Sequence, residues 1–229
     1  MTDIFSVNKI FFTLLGYPMS YIEFVGTIFC LWSVWLISKR NILTWPVGII
    51  SVILYMALFY QIRLYSDTLE QVYYLGASIY GWWYWAKTPR ETESLSGVRF
   101  SSLPGILLVA GITVVLSAGL GAFISRVHLI LPSIFPEAAS FPYLDALTTV
   151  MSLVAMWIMV RKKIESWVYW IIVDIIGIGL YATKNVRFVA LLYIILLILA
   201  ARGLRLWGKA ASTSKAAELT QQIDADMSS

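Results

Sequence analysis

Seven apolar segments, each 17 to 22 residues long and poor in charge, constrain this chain more than any other feature. A bilayer core about 30 Å thick is crossed by about 20 helical residues, so each segment is long enough to span a membrane. The chain has 229 residues, of which 59% are apolar and 13% charged, more apolar surface than a soluble domain of this size can bury. We therefore predict an all-α integral membrane protein with seven transmembrane helices. We exclude a soluble globular enzyme, and we exclude disorder for residues 1 to about 208. The predicted spans are residues 21–38, 44–61, 68–86, 103–124, 144–160, 166–182 and 187–206.

The distribution of Lys and Arg predicts the orientation. Twelve of the 17 basic residues fall on one side of the predicted spans and five on the other. The positive-inside rule places the larger set in the cytoplasm, which puts the N-terminus outside and the C-terminus inside. Residues 1–17 do not form a signal-peptide pattern and predict a short helix on the membrane surface. Residues 210–229 predict a polar cytoplasmic tail, solvated and partly disordered.

The chain contains an internal repeat with an offset of 122 residues. Without gaps, residues 21–87 align with residues 143–209, and rare residue types meet one another along this alignment. The matched pairs are Tyr21 and Tyr143, Glu23 and Asp145, Thr27 and Thr149, Trp35 and Trp157, Trp45 and Trp167, Gly81 and Gly203, Trp85 and Trp207, and Lys87 and Lys209.

This repeat predicts the organisation of the chain. Two three-helix repeats, residues 18–87 and 143–209, would flank residues 88–142, which hold a cytoplasmic loop, a linker helix at about 103–124 and an outer loop. Four crossings separate the two repeat starts, so both repeats enter the membrane in the same direction. Parallel repeats of this kind occur in transporters, where the substrate site lies at the repeat interface near the midplane. The arrangement therefore favours a transporter over an intramembrane enzyme.

Asp174 is the most informative single residue. It lies in the middle of the sixth predicted span, where a carboxylate costs about 2.5–3.5 kcal/mol on insertion scales. Such a residue should face protein or a water-filled cavity, and we predict that it contacts the substrate. The alternative is a hydrogen bond to another helix in the interior. Glu23, Glu70 and Asp145 lie near span ends and are expected to be interfacial anchors.

Polar and aromatic residues recur at helical spacing beside Asp174 and on the second and third spans. Aromatic faces attract cations, by about 0.5–2 kcal/mol each, and amide, hydroxyl and carboxyl groups can hydrogen-bond a sugar or an exocyclic amide. The predicted substrate-binding residues are Trp45, Ser51, Tyr55, Gln71, Tyr74, Ser78, Trp82, Trp167, Trp170, Asp174 and Tyr181. Trp35, Trp85, Trp157 and Trp207 are instead expected to form an interfacial belt.

No catalytic or metal-binding pattern stands out. The single cysteine, Cys30, is expected to be a packing residue, and the single histidine leaves no His cluster for a metal. Phosphate-loop, dinucleotide and zinc-protease motifs do not occur. We therefore expect no enzyme activity, no cofactor, no metal and no nucleic-acid partner.

Three segments resemble the PnuC family of bacterial vitamin transporters: EQVYYLGASIYGWWYWAK (70–87), RKKIESWVYWIIVD (161–174) and ALLYIILLILAARGLRLW (190–207). The resemblance covers residues 20–209. It implies a 3+1+3 topology like that of the SWEET transporters, and facilitated import of nicotinamide riboside across the bacterial cytoplasmic membrane. It also implies a homotrimer, and trapping of the vitamin by a cytoplasmic kinase that makes no stable contact.

The resemblance places Gln71, Trp82, Trp167, Trp170 and Asp174 at substrate-facing positions. The riboside branch commonly has asparagine where this chain has Ser51 and Asp174, and a glutamate near Leu192. Thiamine is therefore the second expected substrate and riboflavin the third, since riboflavin is neutral and gains least from Asp174. A proton-coupled symporter that uses Asp174 is the alternative mechanism.

Overall fold

A computed structural model describes residues 5–14, 16–87, 97–130, 138–183 and 187–228. Within these residues the chain forms seven helices and one two-stranded hairpin. The strands are β1 (Ile10–Leu14) and β2 (Tyr17–Ser20). The helices are α1 (Tyr21–Ser38), α2 (Thr44–Gln61), α3 (Tyr65–Lys87), α4 (Leu103–Ile130), α5 (Pro142–Val160), α6 (Glu165–Thr183) and α7 (Arg187–Ser228). The predicted loop residues 88–96 and 131–137 lie outside the described residues.

Six of these helices are long and apolar enough to cross a membrane: α1, α2, α4, α5, α6 and α7. The seventh, α3, has 23 residues and is long enough, but it is less apolar. Its Asp67, Glu70 and Gln71 are half-buried, and Ser78 is buried among neighbouring helices. The prediction of an all-helical, multi-span membrane protein is confirmed.

Within the described residues the predicted N-terminal surface helix is wrong, because Ile10–Leu14 and Tyr17–Ser20 pair as an antiparallel β-hairpin. Its first strand is the run IFFTL, rich in the β-branched and aromatic residues that favour strands. Gly16 has a φ of 80°, a backbone conformation that a tight hairpin connection favours. Of the apolar residues that suggested an interfacial helix, Ile10, Phe11, Phe12 and Leu14 lie on β1, where successive side chains point to opposite faces of the ribbon.

Two corners of the fold have the same backbone. After α1, Arg40 has a φ of 59°, and after α5 its repeat partner Lys162 has a φ of 57°. The Arg40 N–H donates to the Ile37 carbonyl at 2.8 Å, and the Lys162 N–H donates to the Met159 carbonyl at 2.9 Å. The offset of 122 residues therefore describes backbone geometry as well as sequence.

The helices cross-pack between the two halves. Besides its neighbours in sequence, α3 packs on α5, and α7 packs on α1. The ends of α1, α3 and α5, the starts of α2, α4 and α6, and Trp207 of α7 meet at one end of the molecule. We call this the basic end, because Lys39, Arg40, Arg161 and Lys162 lie there. The opposite end, the hairpin end, carries β1 and β2.

The predicted disordered tail is also wrong, since α7 continues to Ser228. The segment beyond Trp207 contains five Ala, two Lys and two Gln, which have high helix propensity. It also extends a helix that the membrane-crossing part has already nucleated, so its helical state needs no new nucleus.

Candidate functional site

Asp174 lies in the middle of α6, and its side chain is only 3% exposed. Its carboxyl group makes no hydrogen bond to any of the described residues. A buried carboxyl group without a partner is costly, so it marks a place where a ligand, a cation or water is expected. The interior hydrogen bond to another helix, the alternative for Asp174, does not occur within the described part of the chain.

Cys30 of α1 and Ser51 of α2 lie together on the side of the interior nearest Asp174, and we call this surface the α1–α2 wall. Ser51 is buried and its hydroxyl donates to the Gly26 carbonyl at 2.9 Å, which holds the two helices together. The Cys30 thiol of α1 contacts the Ser51 hydroxyl and lies in electrostatic range of Asp174. Sequence reasoning assigned Cys30 to packing, and nothing in the sequence marked α1 as a contributor at this depth.

Tyr55 extends this wall by one turn of α2. Its hydroxyl and the Thr27 hydroxyl of α1 are 2.7 Å apart and share a hydrogen bond. Its ring stacks on Phe59, with centroids 5.7 Å apart. The structure therefore places the predicted residues Ser51 and Tyr55 together on one face of α2.

Polar groups of α3 form a second wall. The Tyr74 hydroxyl donates to Glu70 Oε1 at 2.7 Å and also contacts Ser152 of α5. Gln71 is half-buried and Ser78 is buried. Glu70, expected to be an interfacial anchor, is instead part of this interior network.

Aromatic residues of α6 and α7 complete the interior surface. Tyr181 stacks on Tyr193 with centroids 5.5 Å apart and an interplanar angle of 20°. The Tyr193 ring lies over Gly177, where a Cβ atom would come within 2.6 Å of it. Tyr193 is in electrostatic range of Asp174 and Glu70. Sequence reasoning missed it, because one tyrosine in an apolar span carries no pattern.

The tryptophans depart from their predicted roles. Trp45 and Trp167 are 2% and 1% exposed and pack with Trp85 and Trp207 at the basic end, about 10 Å along their helices from Ser51 and Asp174. Trp85 and Trp207 are buried in the interior, so the belt prediction is wrong for both. Trp157, 43% exposed, remains at the surface.

The two remaining predicted tryptophans differ in their relation to Asp174, because Trp170 precedes it by one turn of α6 whereas Trp82 lies on α3. Trp82 is 44% exposed on the outer side of α3. Trp170 is half-buried and packs against the apolar core at the basic end. The structure thus brings together Ser51, Tyr55, Tyr74, Tyr181 and Asp174 with their neighbours. Trp170 lies one turn from Asp174, whereas Trp45, Trp82 and Trp167 lie at the basic end or at the outer edge.

The hairpin end closes over this interior. The Tyr17 hydroxyl donates to Glu23 Oε1 at 2.7 Å, and its ring stacks on Phe188 at the start of α7, with centroids 5.2 Å apart. Burial and the carboxylate of Glu23 hold the pKa of Tyr17 well above its usual range, so its phenol stays protonated and donates. The hairpin therefore ties α1 to α7.

Comparison with known sequences identifies the family of this chain. The profile of the nicotinamide mononucleotide transporter family matches residues 20–209. The chain belongs to this family. The profile covers both copies of the repeat and every helix that lines the interior.

Two relatives of this chain are known as transporters. One is the nicotinamide riboside transporter PnuC of Escherichia coli K12, 35% identical over 227 residues that cover 90% of this chain and 94% of the relative. Another is the riboflavin/roseoflavin transporter RibM of Streptomyces davaonensis, 26% identical over 204 residues that cover 88% and 91%.

A solved structure shares the family fold. The crystal structure of the vitamin B3 transporter PnuC superposes with a TM-score of 0.66 at 23% identity, covering 85% of this chain and 83% of that chain. Among the described residues no group of three His, Cys, Asp or Glu side chains is placed to hold a metal ion. The interior instead offers one unpartnered carboxyl group, hydroxyl groups and aromatic rings, which suit a polar aromatic ligand with a positive charge.

Proposed function

We propose that this chain is a uniporter that imports nicotinamide riboside across the bacterial cytoplasmic membrane. It crosses the membrane seven times, as two parallel three-helix repeats with α4 between them, a 3+1+3 topology. The basic end faces the cytoplasm and the hairpin end faces outward, as the positive-inside rule predicts. The two repeats rock about a site at the level of Asp174, which opens alternately to each side.

The observation that carries this proposal is the unpartnered carboxyl group of Asp174, which is 3% exposed and lies near the Cys30 thiol, which in turn contacts Ser51. Nicotinamide riboside carries a cationic pyridinium ring, a ribose and a carboxamide. The carboxylate would balance the pyridinium charge, and the interior hydroxyl groups would bond the ribose. Tyr74, Tyr181 and Tyr193 would border the ring, while Gln71 and Ser78 of α3 would supply further polar contacts.

The tryptophans have a smaller part in this site than the sequence indicated. Trp45 and Trp167 would form its floor, and Trp170 would border it from α6. Trp82 faces away from Asp174 in this conformation, and we keep it as a substrate contact only for a conformation in which α3 has turned.

The relatives support the choice of vitamin. The relative at 35% identity is a nicotinamide riboside transporter, and the one at 26% is a riboflavin/roseoflavin transporter. Because riboflavin is neutral, a carboxylate at position 174 favours the riboside. Thiamine, which is also cationic, is the competitor that charge alone does not exclude.

The import mechanism extends to partners. Facilitated diffusion concentrates no substrate by itself, so a cytoplasmic kinase would trap the vitamin without a stable contact to the transporter. Exposed apolar side chains of α4, such as Leu107, Val114 and Val115, would face lipid or the other subunits of a homotrimer.

A binding titration of the purified protein tests the proposed substrate. Intrinsic tryptophan fluorescence would be followed during addition of nicotinamide riboside, thiamine or riboflavin. We expect the riboside to bind tightest and Asp174→Asn to weaken it about tenfold or more, because a charge-assisted contact is lost. Val52→Ala changes the repeat-equivalent position in α2 and serves as the matched control. Tight binding of riboflavin, unaffected by Asp174→Asn, would contradict the proposal.

A proton-coupled symporter is the second candidate, and the buried carboxyl group of Asp174 favours it as a proton carrier. Uptake into proteoliposomes distinguishes the two mechanisms. A uniporter keeps its initial rate when the proton gradient is dissipated and the riboside gradient is held constant. A symporter loses accumulation above equilibrium under the same treatment.

A further inference from the structure

Four tryptophans form a buried cluster at the basic end, and their contacts cross from one repeat to the other. We call Trp45, Trp85, Trp167 and Trp207 the tryptophan cluster. Trp45 meets Trp85 edge to face at 5.3 Å, and Trp167 meets Trp207 in the same way at 5.5 Å. Trp85 and Trp207 then meet each other at 6.4 Å across the repeat boundary.

Two hydrogen bonds of this cluster are reciprocal. Trp85 of the first repeat donates its indole N–H to the Val160 carbonyl of the second repeat at 2.8 Å. Trp207 of the second repeat donates to the Ile37 carbonyl of the first repeat at 3.1 Å. Each bond joins the third helix of one repeat to the last turn of the first helix of the other. Any separation of the repeats at this end must break both bonds.

The cluster lies between the level of Asp174 and the basic residues Lys39, Arg40, Arg161 and Lys162. Trp167 precedes Asp174 by seven residues, Trp45 precedes Ser51 by six, and Ile37 follows Cys30 by seven, each about 10 Å along its helix. The rest of this core is apolar and buried, with Val98, Met159, Val160, Ile164 and Ala200. A polar solute at Asp174 therefore meets a buried, largely apolar layer between itself and these basic residues.

The indole N–H groups of Trp45 and Trp167 disfavour the closed cluster. Trp45 and Trp167 are almost fully buried, yet their N–H groups have no hydrogen-bond partner among the described residues. Unpaired buried donors disfavour a folded arrangement, and water reaches them when the cluster opens. Two bonds thus favour the closed state while two unpaired donors at repeat-equivalent positions oppose it.

We propose that the tryptophan cluster is the inner gate of the transport pathway, with the Trp85–Val160 and Trp207–Ile37 hydrogen bonds as its two latches. The inference rests on the proposed function for the direction of transport. Opening separates α3 from α5 and α7 from α1 at the basic end, and it exposes the indoles of Trp45 and Trp167 to water.

Cys30 supplies a built-in reporter, because it is the only cysteine and lies beside Ser51, above the cluster. A membrane-impermeant trimethylammonium-ethyl methanethiosulfonate reaches its thiol only through an open pathway. Sealed vesicles of each orientation would be exposed to the reagent, and the labelled fraction followed by mass spectrometry. The double variant Trp85→Phe/Trp207→Phe keeps aromatic rings but removes both latches.

We expect this variant to label about tenfold faster from the basic end, the change that the loss of two hydrogen bonds produces, and at an unchanged rate from the hairpin end. The control Trp35→Phe/Trp157→Phe alters another repeat-equivalent pair near the same end and should leave both rates unchanged. Either single variant, Trp85→Phe or Trp207→Phe, keeps one latch and should label at an intermediate rate from the basic end. If the double variant does not fold, the labelling rates of the single variants test the proposal.

Equal labelling of wild type and latch variants, including no labelling in either, would overturn the proposal. So would a rise from both ends, which would indicate general loosening of the fold. The assay needs no substrate, so its outcome is independent of the binding titration. Loss of riboside binding with an intact gate response would reject the proposed substrate alone, and the reverse result would reject the gate alone.

Discussion

The two repeats are alike at the basic end and unlike in the middle. At the basic end both have the same left-handed corner residue, at Arg40 and Lys162, and the same tryptophan packed on a glycine. Seven residues beyond Trp45 the first repeat has Val52, whereas seven residues beyond Trp167 the second repeat has Asp174. The two repeats therefore share their backbone and packing at the basic end, whereas the residues at the level of Asp174, where we propose the ligand site, have diverged.

Exchanging the central pair should give the largest effect. In Asp174→Val/Val52→Asp the total charge is kept, but the carboxylate moves to the other repeat. We expect riboside binding to fall by about 100-fold, in line with removal of one partner from a desolvated charge contact, and the exchange not to restore it. Isothermal titration of the purified variant against wild type measures this. Wild-type affinity in the exchanged protein would mean that the two halves of the site are equivalent.

The glycines that pack against Trp45 and Trp167 test whether the two repeats are alike at the basic end. A Cβ atom at Gly81 or Gly203 would lie 2.5 Å from the ring of Trp45 or Trp167. Gly81→Ala and Gly203→Ala should each destabilise the fold by about 1–3 kcal/mol through overpacking. Thermal unfolding in detergent compares the two variants. Gly76→Ala, on the same helix as Gly81 with open space around it, is the control and should change little.

The hydroxyl of Ser51 offers a smaller test of the middle region. Ser51→Ala removes the hydrogen bond to the Gly26 carbonyl and should cost about 1 kcal/mol of stability. Its repeat-equivalent, Val173, makes no such bond, so the loss applies to one repeat only. Thermal unfolding in detergent detects it as a lower melting temperature. A melting temperature equal to wild type would show that the α1–α2 contact at this depth does not depend on the hydroxyl.

The cations over the surface tryptophans should give the smallest effect. Lys39 Nζ lies 3.7 Å from the Trp35 ring centroid, and Arg161 lies 4.8 Å from that of its repeat partner Trp157. Lys39→Gln and Arg161→Gln should each cost about 0.5–1 kcal/mol. Chemical unfolding resolves differences of this size when the two variants are measured side by side. A clearly larger loss of unfolding free energy in one variant would show that the two repeats are not equivalent at the basic end.

Some helices of the fold can be predicted from the sequence alone. The predicted spans 21–38 and 44–61 coincide with α1 and α2, because a long apolar run bounded by charge leaves few alternatives in a membrane. Burial of Asp174 follows from the same cost argument. The strands β1 and β2 could not be predicted in this way, since aromatic and β-branched residues suit an interfacial helix and a strand equally well by composition.

The site is less predictable than the spans. A tryptophan at the end of a span has the same sequence signature whether it faces lipid headgroups or another helix, and only the cross-packing of α3 on α5 and α7 on α1 buries Trp85 and Trp207. Cys30 and Tyr193 carry no local pattern either. Their place beside Asp174 depends on how distant helices meet, which no periodicity within one span encodes.

The length of α7 has a practical consequence for imaging. Its 42 residues would extend about 63 Å, roughly twice the thickness of a bilayer core, so the helix continues well past the membrane as a rigid arm. A globular protein fused to that arm through an uninterrupted helical junction would turn together with the second repeat. Such a fiducial would make a particle of 25.9 kDa large enough to align in electron cryomicroscopy and would report the tilt of one repeat.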